Sequence, residues 1–170
     1  VQTCALPISD YAGTGYDQGH IVPDGDQSYN QQVEWESFLM SNMSPQLPNL
    51  NRGVWKQLES TVRAWAVQRN HTLIVIPGNI YNVATNKKIG KSNVNVPDGL
   101  FKIVIDTQTN EVLAFAYAQK ESQPTDISLG QVSVADIEKY TGITFALPKG
   151  VDKNAKPKDR KSTRLNSSHV

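Results

Sequence analysis

A histidine, a carboxamide and a carboxylate are spaced in this chain so that they could serve one reaction. His20 closes the run Asp17-Gln18-Gly19-His20, Asn51 follows one helix later, and Glu59 lies eight residues beyond Asn51. An imidazole with an ordinary pKa near ~6.5 can stand neutral at pH 7 and take a proton from water. Mg²⁺ is a hard cation that keeps several waters beside one or two protein oxygens. The amide oxygen of Asn51 therefore suffices as the single direct ligand when a substrate phosphate supplies another. On a helix Glu59 stands about two turns, roughly 12 Å, from Asn51. That is too far for a shared inner shell but suits a carboxylate that holds metal-bound waters. Together these are the parts of metal-assisted phosphodiester hydrolysis. Each also has a plainer reading: a structural histidine at a loop–strand junction, a helix N-cap, and a solvated i, i+4 pair of Glu59 with Arg63.

Further side chains support the first reading. Asn51, Trp55, Glu59 and Arg63 recur every four residues and can line one edge of a helix, next to its apolar stripe. Arg63 can clamp a phosphate oxygen and stabilise developing negative charge, although a surface arginine is the competing interpretation. Gly19 lets the backbone before His20 approach a neighbour closely or take positive φ. Asp17 reads as structural, holding the loop that presents His20.

Three stretches give these residues a shared context: Tyr16-Asp17-Gln18-Gly19-His20-Ile21-Val22-Pro23, Ser41-Asn42-Met43-Ser44-Pro45-Gln46 and Leu50-Asn51-Arg52-Gly53-Val54-Trp55-Lys56-Gln57-Leu58-Glu59. Their order and spacing resemble the DNA/RNA non-specific endonucleases, the sugar-non-specific nucleases with a ββα-metal (His-Me finger) site. The likeness covers roughly residues 11–148. It extends to Ile76-Pro77-Gly78-Asn79-Ile80-Tyr81, Val96-Pro97-Asp98-Gly99-Leu100-Phe101-Lys102 and Val134-Ala135-Asp136-Ile137-Glu138-Lys139-Tyr140-Thr141-Gly142. The resemblance implies that His20 activates the attacking water, that Asn51 binds Mg²⁺ (or Mn²⁺) directly and that Glu59 binds it through water. It further implies that Asn42 supports the site by hydrogen bonding and that Arg63 faces the substrate phosphate. DNA and RNA are the implied partners, held through phosphates, with 5′-phosphorylated products and a secreted or periplasmic location.

The chain departs from that pattern at Gln18, where the family usually carries an arginine facing the substrate phosphate. Glutamine can donate a hydrogen bond there but brings no charge. Arg52 is placed to replace the lost cation. No arginine precedes Arg52, so a second family arginine that lies upstream of the motif is either lost with a missing N-terminus or absent. These departures keep an alternative open: a catalytically inactive relative that only binds nucleic acid or a protein partner. A non-enzymatic, β-rich extracellular module is a further rival.

The elements that must position these residues read as α+β: a mostly antiparallel sheet with one long helix and a ββα-metal site, truncated at the N-terminus. His20-Ile21-Val22 reads as a small strand ended by Pro23. Residues 33–40 read as a strand or an irregular crossing. Residues 49–70 read as a helix with Val54, Leu58, Val62 and Trp65 as its apolar stripe and Asn49 or Asn51 as N-cap. Residues 72–76 read as a buried strand closed by Pro77-Gly78. Residues 101–106 and 111–118 form a hairpin across the turn 107–110. A short helix over 134–140 is capped by Ser133 and stopped by Gly142.

A chain of 170 residues, 38% apolar and 19% charged, suits one globular domain. No apolar window approaches a membrane span. Residues 1–9 have neither charge nor period and read as a non-native leader, and that segment holds the only cysteine, Cys4. Residues 151–170 read as a disordered tail, with at least 161–170 non-native. The nuclease-like domain is then 10–150, and it carries 11 basic and 14 acidic residues, net −3, although the whole chain is +1. Proteins that coat nucleic acid by counterion release need clustered Lys and Arg. Here a bound divalent cation and a few placed arginines would have to supply the positive charge.

Overall fold

The computed structural model describes residues 8–81 and 87–155. Most of the expected leader, and the tail from residue 156, lie outside the described residues. The part of the chain that carries His20 is a two-stranded ribbon. β1 (Asp17–His20) pairs antiparallel with β2 (Met43–Gln46), His20 opposite Met43 and Asp17 opposite Gln46. His20 therefore ends the strand rather than beginning it. Between β1 and β2 the chain forms helix α1 (Gln31–Ser37), where sequence pattern suggests a strand or an irregular crossing. Asn30 decides the outcome: its backbone is extended and its side chain accepts from Gln32 N at 2.9 Å and Val33 N at 3.4 Å. That cap satisfies donors that open every helix, and Gln and Glu then favour helix over strand.

The long helix is jointed. A π-type segment, Leu50–Trp55, runs into α2 (Lys56–Arg69), and Gly53 leaves helical geometry at φ −100° and ψ −116°. Neither expected N-cap acts as one. Asn49 has helical backbone angles and makes no cap bond; its amide instead donates to the carbonyl of Glu121 at 3.0 Å. Asn51 lies inside the segment and bonds Asp17. The apolar stripe is as expected, with Val54, Leu58, Val62 and Trp65 all buried. Trp55 joins them in the core rather than lying along an exposed edge. Asn70 ends the helix with φ 53°, and the backbone N–H of His71 reaches back to Ala66 O.

α2 lies on a four-stranded antiparallel sheet, in the order β3 (Leu73–Ile80), β6 (Gly99–Asp106), β7 (Val112–Ala118), β8 (Gln131–Val132). A small ribbon of β4 (Lys88–Ile89) and β5 (Val94–Asn95) precedes β6. β3 continues through Pro77-Gly78 to Ile80, and it is an edge strand with Ile74 half-exposed, not a fully buried one. Every residue of β6 is buried. Alternation divides them: Leu100 and Val104 pack under α2 and Lys102 lies over Trp55, whereas Phe101, Ile103 and Ile105 pack against the face covered by α3 (Val134–Thr141). The hairpin and α3 form as expected. Asn110 turns with φ 60°, Ser133 and Asp136 complete a capping box, and Gly142 takes φ 71°. Order continues past Pro148 to at least Ala155, because Lys153 O accepts from Ala135 N and its ammonium pairs with Glu138 at 2.5 Å.

One carboxylate joins the end of α2 to the β6–β7 turn. Buried Asp106 accepts from His71 Nδ1 at 2.7 Å, Arg69 Nη1 at 3.3 Å, Gln108 N at 3.0 Å and Thr109 N at 3.1 Å. The His71 bond, aided by the two backbone donors and Arg69, holds its pKa well below the ordinary carboxylate value. A lowered carboxylate pKa stabilises the fold above the unfolded-state value of about 3.9, and that stability is lost as pH falls through the folded-state pKa. Asp106→Asn is expected to lower Tm at pH 7. In melts from pH 7 to pH 2 the gap from wild type should close as pH drops below about 4; a constant gap would show that the charge of Asp106 is not the cause.

Candidate active site

The β1–β2 ribbon and the helix that follows it present the motif residues together. Gly19 is needed for close approach, not for positive φ. A Cβ there would fall 2.1 Å from the side chain of Gln46, which is fully buried across the ribbon. Gln46 in turn donates to the carbonyl of His20 at 3.3 Å. Asn42 fixes the chain just after His20. Its Oδ1 accepts from Val22 N at 2.9 Å, its Nδ2 donates to the carbonyls of Val22 and Ser37 at 2.8 Å each, and its own carbonyl accepts from Ile21 N at 2.9 Å. The ribbon is fastened to the main sheet by Gln119, which bonds Leu47 N at 2.7 Å and Pro45 O at 2.6 Å.

The His20 ring stands edge-to-face with Phe38, centroids 4.9 Å apart, and its Nε2 is buried with no hydrogen-bond partner among the described residues. Burial lowers the imidazole pKa, and the charge of Asp24 opposes that shift only in part. Burial thus favours the neutral ring.

Asp17 binds the start of the helix. It accepts from Asn51 Nδ2 at 2.9 Å and from Arg52 Nε at 2.8 Å and Nη2 at 2.6 Å. The Arg52 bonds, with Asn51 adding to them, hold the Asp17 carboxyl below its ordinary pKa. Because the amide nitrogen of Asn51 is engaged, its oxygen is the end left for a cation. Arg52 is largely exposed apart from that pairing. Gln18 is half-buried, and its amide reaches the carbonyl of Ile8 at 3.5 Å.

Glu59 and Arg63 do not pair with each other. Arg63 forms an ion pair with Asp26, and Glu59 Oε1 faces Lys102 Nζ at 3.7 Å. Burial pushes the Glu59 carboxyl up to about 7; Lys102 pulls it down, and Asp26 and Asp24 push it further up. Burial likewise lowers the Lys102 ammonium pKa. Asp24 acts on both His20 and Glu59, so the loop after β1 joins the two ends of the site electrostatically.

Sequence pattern does not single out Asp24, Asp26 or Lys102. The signals for them are legible in hindsight: Asp24-Gly25-Asp26 directly follows the histidine run, and Lys102 interrupts an otherwise apolar strand. Among the described residues no group of three or more His, Cys, Asp or Glu side chains is placed to hold a metal ion. The residues present suit a cation in another way. An oriented amide oxygen and a buried carboxylate whose charged form is poorly solvated favour an ion that brings most of its own water shell.

The family model of the DNA/RNA non-specific endonucleases matches residues 5–153. The chain belongs to that family. It is 29% identical over 154 residues to the human mitochondrial nuclease EXOG, covering 80% of this chain and 41% of the relative. A nuclease of a Nostoc species is 32% identical over 146 residues, covering 79% and 52%. The solved EndoG/EndoGI complex, described as showing a mechanism of EndoG inhibition, matches with a TM-score of 0.71 at 27% identity, over 81% of this chain and 61% of that one. The chain thus spans about half the length of the curated relatives it matches, and the shared part contains the ββα arrangement described above. No helix among the described residues is long and apolar enough to cross a membrane.

Asn42 offers a direct check on how the site is built. Asn42→Ala removes three side-chain bonds from a half-buried position and leaves Val22 N without its acceptor. A loss of about 1–3 kcal/mol in urea unfolding is expected. A variant of wild-type stability would mean that the loop after His20 is held by other contacts.

Proposed function

We propose that the chain is a divalent-metal-dependent endonuclease that hydrolyses phosphodiester bonds of DNA and RNA with little sequence preference. The observation that carries the proposal is the hold on Asn51: Asp17, three residues before His20 on the same strand, accepts from its amide nitrogen, so the amide oxygen is the end that could meet a cation. Family membership supplies the reaction class.

His20 takes a proton from the attacking water. Burial helps by disfavouring the imidazolium before the reaction, and Asp24 stabilises it once formed. Asn51 would hold Mg²⁺ or Mn²⁺ directly and Glu59 would hold it through water; when bound, such an ion polarises the phosphate and stabilises the leaving 3′ oxygen. Products would carry 5′-phosphates. Arg63 meets a phosphate oxygen by exchanging its Asp26 partner, and Arg52 and Gln18 offer further donors on the β1 side. Contacts of this kind are to phosphates, which carry no sequence information.

Gln18 favours a second reading. It brings no charge where the family resemblance leads one to expect an arginine, and its amide turns to Ile8. An inactive relative that binds nucleic acid or a protein would have that feature. Supercoiled plasmid and RNA incubated with the folded chain separate the two. Cleavage of both polymers in Mg²⁺, none in EDTA, and a fall of about 10²–10⁴-fold in His20→Ala supports the nuclease; a folded chain that cleaves neither supports the inactive relative.

The pH profile gives a finer check. At saturating Mg²⁺ the acid limb should report His20 and lie below about 6.5, since burial lowers its pKa and the neutral form is the active one. Glu59 sits near 7 without a cation. Limiting Mg²⁺ should therefore move the limb upward, because protonation of Glu59 then competes with the metal. A limb that stays fixed across Mg²⁺ concentrations would separate Glu59 from the metal.

A further inference from the structure

Lysine is rarely fully buried, yet Lys102 is only 1% exposed, in the middle of a strand whose every residue is buried. It faces α2 between Leu100 and Val104, positions that belong to the apolar core. Two groups meet its ammonium: the Trp55 ring, 4.5 Å from Nζ to centroid, and Glu59 Oε1 at 3.7 Å. Trp55 ends the π-type segment and Glu59 follows four residues on in the first turn of α2, so they present a ring face and a carboxylate side by side. Other charges near the pair are Asp26 and Arg63, with Asp24 also acting on Glu59.

Stability does not call for a lysine here. An apolar side chain of similar volume commonly serves a core as well as a buried ion pair or better. Three ammonium donors also exceed what one carboxylate at 3.7 Å and one ring can satisfy. What the lysine does accomplish is directional. It turns Oε1 of Glu59 inward, and the side chain is otherwise nearly enclosed, 13% exposed. Because the ammonium meets Oε1, Oε2 is the oxygen that a partner outside the core would have to use.

We propose that Lys102 is a positioning residue of the site: from inside the core it holds Oε1 of Glu59 and so aims Oε2 at the metal's water shell. The proposal rests on the nuclease assignment above. Lys102 touches neither substrate nor metal, and it acts only through Glu59.

The test compares wild type, Lys102→Met, Lys102→Arg, Glu59→Gln and the Glu59→Gln/Lys102→Met double variant. Mn²⁺ affinity by electron paramagnetic resonance, kcat and KM on plasmid DNA, and Tm are measured for each. Lys102→Met is expected to weaken Mn²⁺ binding and lower kcat by about 10–100-fold with little change in KM. Lys102→Arg should recover part of the loss. In the Glu59→Gln background the methionine should add no more than about a twofold effect. A folded Lys102→Met with wild-type Mn²⁺ affinity and kcat overturns the proposal, as does an equal loss in both backgrounds. Should Lys102→Met fail to fold, restored folding in the double variant supports the pairing with Glu59, and failure there too assigns Lys102 to core packing and overturns it. A folded wild type that binds no Mn²⁺ and cleaves nothing is a separate result, which removes the nuclease assignment itself.

Discussion

The site depends on one carboxylate. Asp17 takes three N–H bonds from the start of the helix, one from Asn51 and two from Arg52, while its own strand ends at His20 three residues later. Nothing in helix propensity would hold Asn51 there. The segment around it is wound in a wider turn than an α-helix, and Gly53, two residues on, leaves helical geometry altogether. Such a joint lets the first turn be set by tertiary bonds rather than by the helix below it, and Asp17 supplies those bonds. The same contact decides which end of the Asn51 amide is available. Position and chemical identity of the expected ligand atom thus follow from a single ion pair and its accompanying hydrogen bond.

The two groups with the most altered acid–base character are shaped by burial more than by charge. Phe38 and the ribbon keep His20 from water, and α2 lying on β6 keeps Glu59 from it. Desolvation disfavours the charged form in both, and so acts in opposite directions on their pKa values. A base that is neutral at pH 7 needs no further help. Burial pushes the Glu59 carboxyl up to about 7, and a cation beside it favours the anion. Lys102 is such a cation on the core side, and its effect is smaller than the burial it opposes. The outer side of Glu59 is where a second cation has most to gain.

Much of this was legible in the sequence because it rests on local pattern. The stripe Val54, Leu58, Val62, Trp65 marks the buried face of α2, and Ser133 and Gly142 bracket α3. The hairpin turn follows from its polar residues and from the tolerance of Asn110 for positive φ. The misreadings were non-local or competed with a cap. Residues 33–40 alternate loosely, and only the Asn30 side chain commits the first five of them to α1. Asn49 and Asn51 have the right chemistry for N-caps, but Glu121 and Asp17, distant in sequence, take their amides. The plainer reading of Glu59, an i, i+4 pair with Arg63, does not form: Asp26, brought in by the loop after β1, takes the arginine. Lys102 shows a different limit. Its burial is invisible until alternation along β6 is combined with the placement of α2, since a lone lysine in an apolar strand otherwise reads as an outward-facing position.

The charge balance of the assembled site ties these threads together. Three cations of the candidate site have carboxylate partners: Arg52 with Asp17, Arg63 with Asp26, Lys102 with Glu59. Asp24, exposed at the mouth of the loop, is one negative charge more. The central region carries a net charge of −3 and so offers a polyanion little long-range attraction. Arginines held by carboxylates are nonetheless oriented, and a phosphate can exchange for the carboxylate without ordering the guanidinium anew. What the arrangement lacks is positive charge, not geometry. A divalent cation held by the Asn51 amide oxygen would supply that charge, and Glu59 would meet it through water. The same surface without the cation would hold nucleic acid weakly, so binding and reaction would both depend on the ion.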